Sequence, residues 1–216
     1  MATYGVAFDV ERQASYDRVH VAIRLAIIIV AGILGAVTGG LISGIFGALY
    51  IIVPVAAAIL IAQKGAQKYF EESEQNMTRW LRYLIGFYAY MGLLTDTLPN
   101  QDQTRTVRFG VTPTGTPSAG QVLLRIILAI PSAIVLGLLG IVAFVLSVIA
   151  AIMILVGETY PEGIFNFLRG WLRWEARIFA YLAGLVQEYP PFAFDTGPEA
   201  PGASPTPGGS APSQAT

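Results

Sequence analysis

Leu25 to Ala62 runs for 38 residues without an Asp, Glu, Lys, Arg or His. A helix that crosses the hydrocarbon of a bilayer needs about 20 apolar residues. This run is too long for one crossing and about right for two. Its only turn-like stretch is Thr38-Gly39-Gly40-Leu41-Ile42-Ser43-Gly44, near the midpoint. The spacing predicts a helical hairpin with spans near 22–40 and 43–62. Pro54 lies in the second span, where its missing N–H and its ring kink a helix unless neighbours compensate. Charged residues make up 12% of the chain, against about 25% in soluble domains. A membrane protein is therefore expected.

Ile126 to Val156 is a second uncharged run, of 31 residues. A single helix of that length is about 46 Å long, against a hydrocarbon core of roughly 30 Å. A second hairpin is expected, turning near Gly137–Gly140. Val122, Leu123 and Leu124 extend it at the start, with Arg125 snorkelling to the headgroups. A re-entrant hairpin that does not fully cross is the competing reading. Asp9, Glu11, Arg12, Asp17 and Arg18 precede the first run, and no small-residue cleavage site follows a short apolar core. That is not a signal peptide, so the first span is expected to be retained as an anchor.

The chain also resembles itself. At a shift of 101, Val6, Phe8 and Val10 fall on Val107, Phe109 and Val111, and Arg24 falls on Arg125. At a shift of 91, Tyr69 falls on Tyr160, Trp80-Leu81-Arg82 on Trp171-Leu172-Arg173, and Ala89-Tyr90 on Ala180-Tyr181. Leu94 falls on Leu185 and Pro99 on Pro190. A tandem duplication is expected. Each copy has a short strand with alternating apolar residues, a linker, an apolar hairpin, and an aromatic-rich amphipathic helix ending in a Pro turn. The expected fold class is a mainly α integral membrane protein with about four spans. The copies occupy 1–100 and 101–195, related by a pseudo-two-fold axis roughly normal to the membrane. Residues 196–216 carry five Pro and four Gly among small polar residues and one charge, Glu199, which predicts a disordered tail.

All 13 basic residues flank the two apolar runs. The positive-inside rule then places both termini and the central region in the cytoplasm. The expected localisation is a multi-pass protein of the cell inner membrane. Tyr83 to Leu94 is uncharged but only 12 residues long, so it is read as interfacial rather than as a third span.

Gly157-Glu158-Thr159-Tyr160-Pro161, Leu172-Arg173-Trp174, Arg177, Ala180-Tyr181 and Tyr189-Pro190-Pro191-Phe192 resemble a bacterial integral membrane family, domain of unknown function 4389. The resemblance covers 104–194 well and 4–100 as a degenerate copy, so two tandem copies are implied. The family pattern often has a His after the Ile-Pro of its first span; here Ser132 follows Ile130-Pro131. The resemblance implies a membrane protein and no particular activity.

Little in the chain points to catalysis. His20 is the only histidine and there is no cysteine, so no metal site built from several imidazoles or thiolates is expected. No phosphate loop, dinucleotide fingerprint or nucleophile elbow is present, and no cofactor is expected. A net charge of −1 gives no field for nucleic acid. Gly35/Gly39 and Gly40/Gly44 are small-xxx-small pairs, read as close helix packing. On a helix from about 164 to 188, Arg169, Arg173 and Arg177 recur every four residues opposite an apolar side. Together with Arg82, Trp171 and Trp174 they are expected to meet anionic lipid headgroups. The alternative is that these arginines bond to Glu158, Glu162 or loop carbonyls and fix the helix. Glu175 falls among the apolar residues of that helix, and its counterpart in the first copy is Leu84. It is expected either to meet a basic residue of the first copy, or to contact a partner or act as an acid of raised pKa. The expected function is a non-enzymatic membrane scaffold or accessory subunit, with membrane lipids and a protein partner or a second copy as its contacts. The alternative is a transporter of a lipid or small molecule with its site between the repeats. A membrane enzyme has only Glu175 and scattered Asp behind it.

The topology is testable. Cysteines placed singly at Gly40, Gly115 and Ser210 are exposed to an impermeant thiol reagent in intact cells. Only the Gly40 site is expected to label; labelling at 115 would give the first half an odd number of spans.

Overall fold

A computed structural model describes residues 4–37, 41–73, 75–98, 106–157 and 159–198, without the side chains of 31, 32, 34–37 and 41–46. Residues 38–40 of the expected turn stretch and the tail beyond Pro198 lie outside them, and so do the side-chain contacts of the paired small residues. The described residues form two strands and seven helices. The first half holds β1 (Val6–Val10), α1 (Arg18–Val37), α2 (Leu41–Lys64), α3 (Ala66–Glu71) and α4 (Met77–Met91). The second holds β2 (Val107–Val111), α5 (Ala119–Leu128), α6 (Ile130–Gly157) and α7 (Glu162–Leu182).

The two strands pair with each other, antiparallel, with Phe8 opposite Phe109, Val6 opposite Val111 and Val10 opposite Val107. A lone two-stranded sheet is marginal, and this one packs on α4 and α7. Those two helices touch each other and carry much of the core, including Leu81, Ile85, Phe165, Leu172 and Phe179. On their far side lie α2 and α6. α6 also runs against α1, and α2 against α5.

The first apolar run forms two helices, α1 and α2, as the pattern predicts, and α2 continues through Pro54. The second run does not form the expected hairpin. α6 passes through Gly137 and Gly140 without a turn. A single Gly costs a helix only about 1 kcal/mol, less than leaving backbone groups unbonded among apolar side chains. The break comes earlier, at Ala129, just before Ile130-Pro131. Pro131 has no N–H to give the preceding turn, so the helical hydrogen-bond ladder is interrupted there. Ten-residue α5 is opened by a capping box in which Ser118 and Gln121 bond reciprocally.

Two helices, α6 and the Gly47–Lys64 part of α2, are long and apolar enough to cross a membrane. The outward faces of α1, α2, α5 and α6 carry exposed large apolar residues, among them Ile28, Ile52, Leu124, Ile134, Ile141 and Phe144. A patch of that extent marks a surface that meets something other than water.

The turns after α4 and α7 are built alike. Leu94 N–H donates to Ala89 O, and Leu185 N–H to Ala180 O. Leu93 (φ 65°) and Gly184 (φ 73°) take the left-handed conformation that ends each helix. α7 thus stops at Leu182, short of the expected 188. A buried arginine seals each turn. Arg24 donates to Thr95 O at 2.5 Å and to Asp96 Oδ1 at 2.8 Å, and its guanidinium lies 4.2 Å from the centre of the Tyr90 ring. Arg125 donates to Tyr181 O at 2.6 Å and Val186 O at 2.7 Å, over the Tyr181 ring. The snorkelling expected of Arg125 is therefore corrected: it is buried and points into protein. Gly115 has φ 77°, and a Cβ there would overlap Gln187; Thr116 is the better carrier of a cysteine reporter in that loop.

Arg125→Leu would leave the Tyr181 and Val186 carbonyls without this donor in a buried place. A loss of about 3 kcal/mol is expected, read as a lower unfolding midpoint in detergent. An unchanged midpoint would show that water satisfies the turn.

Candidate functional site

α7 is amphipathic, yet both of its sides are covered. Arg169, Arg173 and Arg177 are 6%, 2% and 8% exposed. Arg173 donates from Nε to Phe8 O at 3.0 Å and from Nη1 to Asp195 O at 2.7 Å, with Asp9 Oδ1 at 3.4 Å. Asp9 is 3% exposed and also pairs with Arg108 on the facing strand at 2.7 Å. Arg169 donates to Thr196 O and Asn166 Oδ1, and Arg177 to Asp195 Oδ2. Gly170 lets this segment lie close, since a Cβ there would meet Asp195 O and Thr196 Cγ2 at 3.1 Å.

Headgroup binding by Arg169, Arg173 and Arg177 is therefore corrected: all three are buried and bond to carbonyls and carboxylates inside the protein, with Arg177 Nε left unpaired. The fixing role weighed against it is the one found, with Asp9, Asp195 and Thr196 O in place of Glu162. Glu158 lies outside the described residues. Trp174 is buried edge-on to Phe192, with ring centres 5.6 Å apart. Trp171 donates from Nε1 to Leu136 O at 3.2 Å. Arg82 is half-buried and donates from Nε to Phe109 O at 3.3 Å. The six residues do not form one site.

The opposite side of α7 carries Glu175, which is 8% exposed. Its partner is not a basic residue, as one reading expected, but the Tyr50 hydroxyl of α2, which donates to Oε2 at 2.7 Å. Burial in apolar surroundings pushes the Glu175 carboxyl up to about 7, and the Tyr50 hydrogen bond draws it partly back. Burial, and after it the same carboxyl, hold the Tyr88 hydroxyl above its usual range.

Glu175 opens on a cavity of about 560 Å³ lined by Tyr50, Phe87, Tyr88, Trp171 and Glu175, with Gly47, Met91, Ala133 and Gly137 completing the wall. A second cavity, of about 500 Å³, lies between α1 and α6 and is lined by residues such as Leu25, Ile28, Ala143, Ser147 and Leu168. Tyr88, Met91 and Trp171 line both, so the two adjoin. Among the described residues no cluster of His, Asp and Glu could hold a metal ion. The arrangement can enclose an apolar molecule and offers it one carboxyl. Sequence reasoning singled out Glu175 and Trp171 but missed Tyr50 and Asp9. Tyr50 is the only Tyr within the 38-residue uncharged run, a signal that could have found it.

The family described as Domain of unknown function (DUF4389) matches residues 120–193, roughly a third of the chain. That stretch carries α6, α7 and Glu175. No curated protein and no solved structure matches the chain.

An acid whose pKa is raised on folding holds its proton in the folded state while the unfolded chain has lost it. Stability relative to Glu175→Gln should therefore fall as pH rises from about 4.5 to about 7, and level off above. The expected fall is about 3 kcal/mol, checked by unfolding the two proteins across that range. A flat difference would mean that water reaches the carboxyl.

Proposed function

We propose that this chain is an integral membrane protein of the cell inner membrane, not an enzyme, that handles a lipid or other apolar small molecule at a site between two duplicated halves. The observation that carries the reading is the pair of adjoining cavities, joined at Tyr88, Met91 and Trp171. They take walls from both halves. Together they are large enough for a ligand of the usual size, and they are apolar, as such sites are.

The duplication has support in paired contacts. The reciprocal bonds Arg82 Nε to Phe109 O and Arg173 Nε to Phe8 O keep the shifts of 91 and 101. So do Asp96 N–H to Gln13 Oε1 and Gln187 N–H to Thr114 Oγ1. Tyr69 donates to Ala183 O and Tyr160 to Gly92 O, each reaching the turn of the other half. The antiparallel pairing of Phe8 with Phe109 is what a two-fold axis through the sheet would give.

Membrane insertion is supported by the apolar outer faces of α1, α2, α5 and α6. The distribution of Lys and Arg supports both termini inside. Without a hairpin in the second run, an α6 laid along the protein body is favoured over a full crossing. α6 packs along α7, with Leu136 against Trp171 and Ser132 Oγ 2.6 Å from Tyr189 Oη. A crossing by α6 would carry α7 and its buried arginines with it, at high cost.

A second reading, the scaffold or accessory subunit with a protein partner or a second copy, is favoured by the extent of the apolar outer face. The two readings separate on one variant. Ser147→Phe fills the cavity between α1 and α6 from a half-buried position. Protein purified from native membranes in mild detergent is expected to retain a lipid or other small molecule, seen by native mass spectrometry, and the variant to lose it. An empty wild type that carries a stoichiometric protein partner instead would favour the scaffold.

A further inference from the structure

The repeated contacts make Glu175 stand out. Arginines, tyrosines and turns recur in both halves, but Leu84 stands at the position 91 before Glu175, and Ile141 at the position 91 after Tyr50. The helix packing works with Leu in one half, so it does not require a carboxyl in the other. The pair Glu175–Tyr50 bridges α7 of the second half and α2 of the first, and has no mate.

The surroundings of that carboxyl select a ligand chemistry. Four aromatic rings, those of Tyr50, Phe87, Tyr88 and Trp171, line the cavity with it. The rest of the wall is Gly, Ala and Met. The charged or titratable groups that line it are Glu175 itself, Tyr50 from α2 and Tyr88 from α4; α6 contributes only Ala133 and Gly137. Arg173 and Arg177, on the same helix, bond instead to Phe8, Asp9 and Asp195. A ring-lined pocket with one carboxylate attracts a cation through both the ring faces and the charge. A primary ammonium brings three N–H donors, and the wall offers few acceptors beyond a carboxylate already bonded to Tyr50. A quaternary ammonium has no N–H to satisfy. An anion would meet only the negative end of the pocket.

Resting on the binding-site reading, we propose that the cavity at Glu175 takes the quaternary ammonium head of an amphiphile, whose chain lies in the adjoining cavity between α1 and α6. The ligand supplies the positive charge that none of the described residues lining the cavity places beside this carboxylate. Its chain passes between Tyr88, Met91 and Trp171.

The full chain in a neutral maltoside detergent is titrated with decyltrimethylammonium and, separately, with decanol, by calorimetry. Micelle partitioning is common to all variants and cancels between them. Wild type is expected to bind the cation, and Glu175→Gln to bind it at least about tenfold more weakly, while decanol affinity stays the same. Cation affinity is expected to rise from about pH 6 to about pH 8 in wild type as the carboxyl ionises, and to stay flat in Glu175→Gln. Glu175→Leu, which copies residue 84, should still unfold in one cooperative transition and lose cation selectivity, so a folding defect does not imitate the result. Equal cation binding by wild type and Glu175→Gln would overturn the ammonium assignment. If decanol binds wild type as tightly as the cation does, the cavity still holds apolar molecules and only the headgroup class falls. If neither probe binds wild type, the binding-site reading falls with it.

Discussion

Arg173 reaches from the middle of α7 into the strand pair, where its guanidinium meets Phe8 O, Asp9 and Asp195 O. Much depends on this contact. A two-stranded sheet has little stability of its own, and β1 buries a carboxylate in Asp9. Guanidinium is suited to the task because it carries five N–H donors in a fixed plane and stays charged. Removing one member of such a set would leave an uncompensated buried charge, which is far more costly than the set is stabilising.

The same device closes the ends of the central helices. Arg24 and Arg125 each sit over a Tyr ring and donate to carbonyls at or just past the end of the helix that carries it. The last carbonyls of a helix have no partner within it. In a place closed to water, a buried arginine is an effective donor for this region. These contacts bind α1 to the turn after α4, and α5 to the turn after α7. The apolar helices are thereby held on the body by charge-assisted hydrogen bonds rather than by apolar packing alone, which would lose its driving force in lipid.

With the frame held by contacts made twice, a residue used once is free for another purpose. Glu175 lies on the face of α7 turned away from the arginines, so its carboxyl does not share their network. Burial raises its pKa, and the Tyr50 hydrogen bond draws it only partly back. The cavities on this side persist because Gly137, Gly140 and Ala143 leave room beside Trp171 and Leu168.

Some of this was legible in the sequence. The uncharged runs fixed where apolar helices form, because a run without charge has few other fates. The alternation of Val6, Phe8 and Val10 identified a strand, and the shift of 101 identified a second one like it at Val107, Phe109 and Val111; that the two pair is a fact of the tertiary structure. The amphipathic pattern located α7, and the isolation of Glu175 among apolar neighbours was visible by counting. What the pattern could not decide was what each face meets. Periodicity separates the two sides of α7 but cannot say that the basic side faces Asp9, 164 positions away from Arg173, rather than lipid. Nor could it place the break of the second run at Ala129 instead of Gly137–Gly140, because a glycine in a helix is tolerated wherever the surroundings demand intact backbone hydrogen bonds. The pairing of Tyr50 with Glu175 joins residues 125 apart. Composition and spacing act over a few turns of chain, whereas burial and hydrogen-bond satisfaction are settled only when distant segments close on one another.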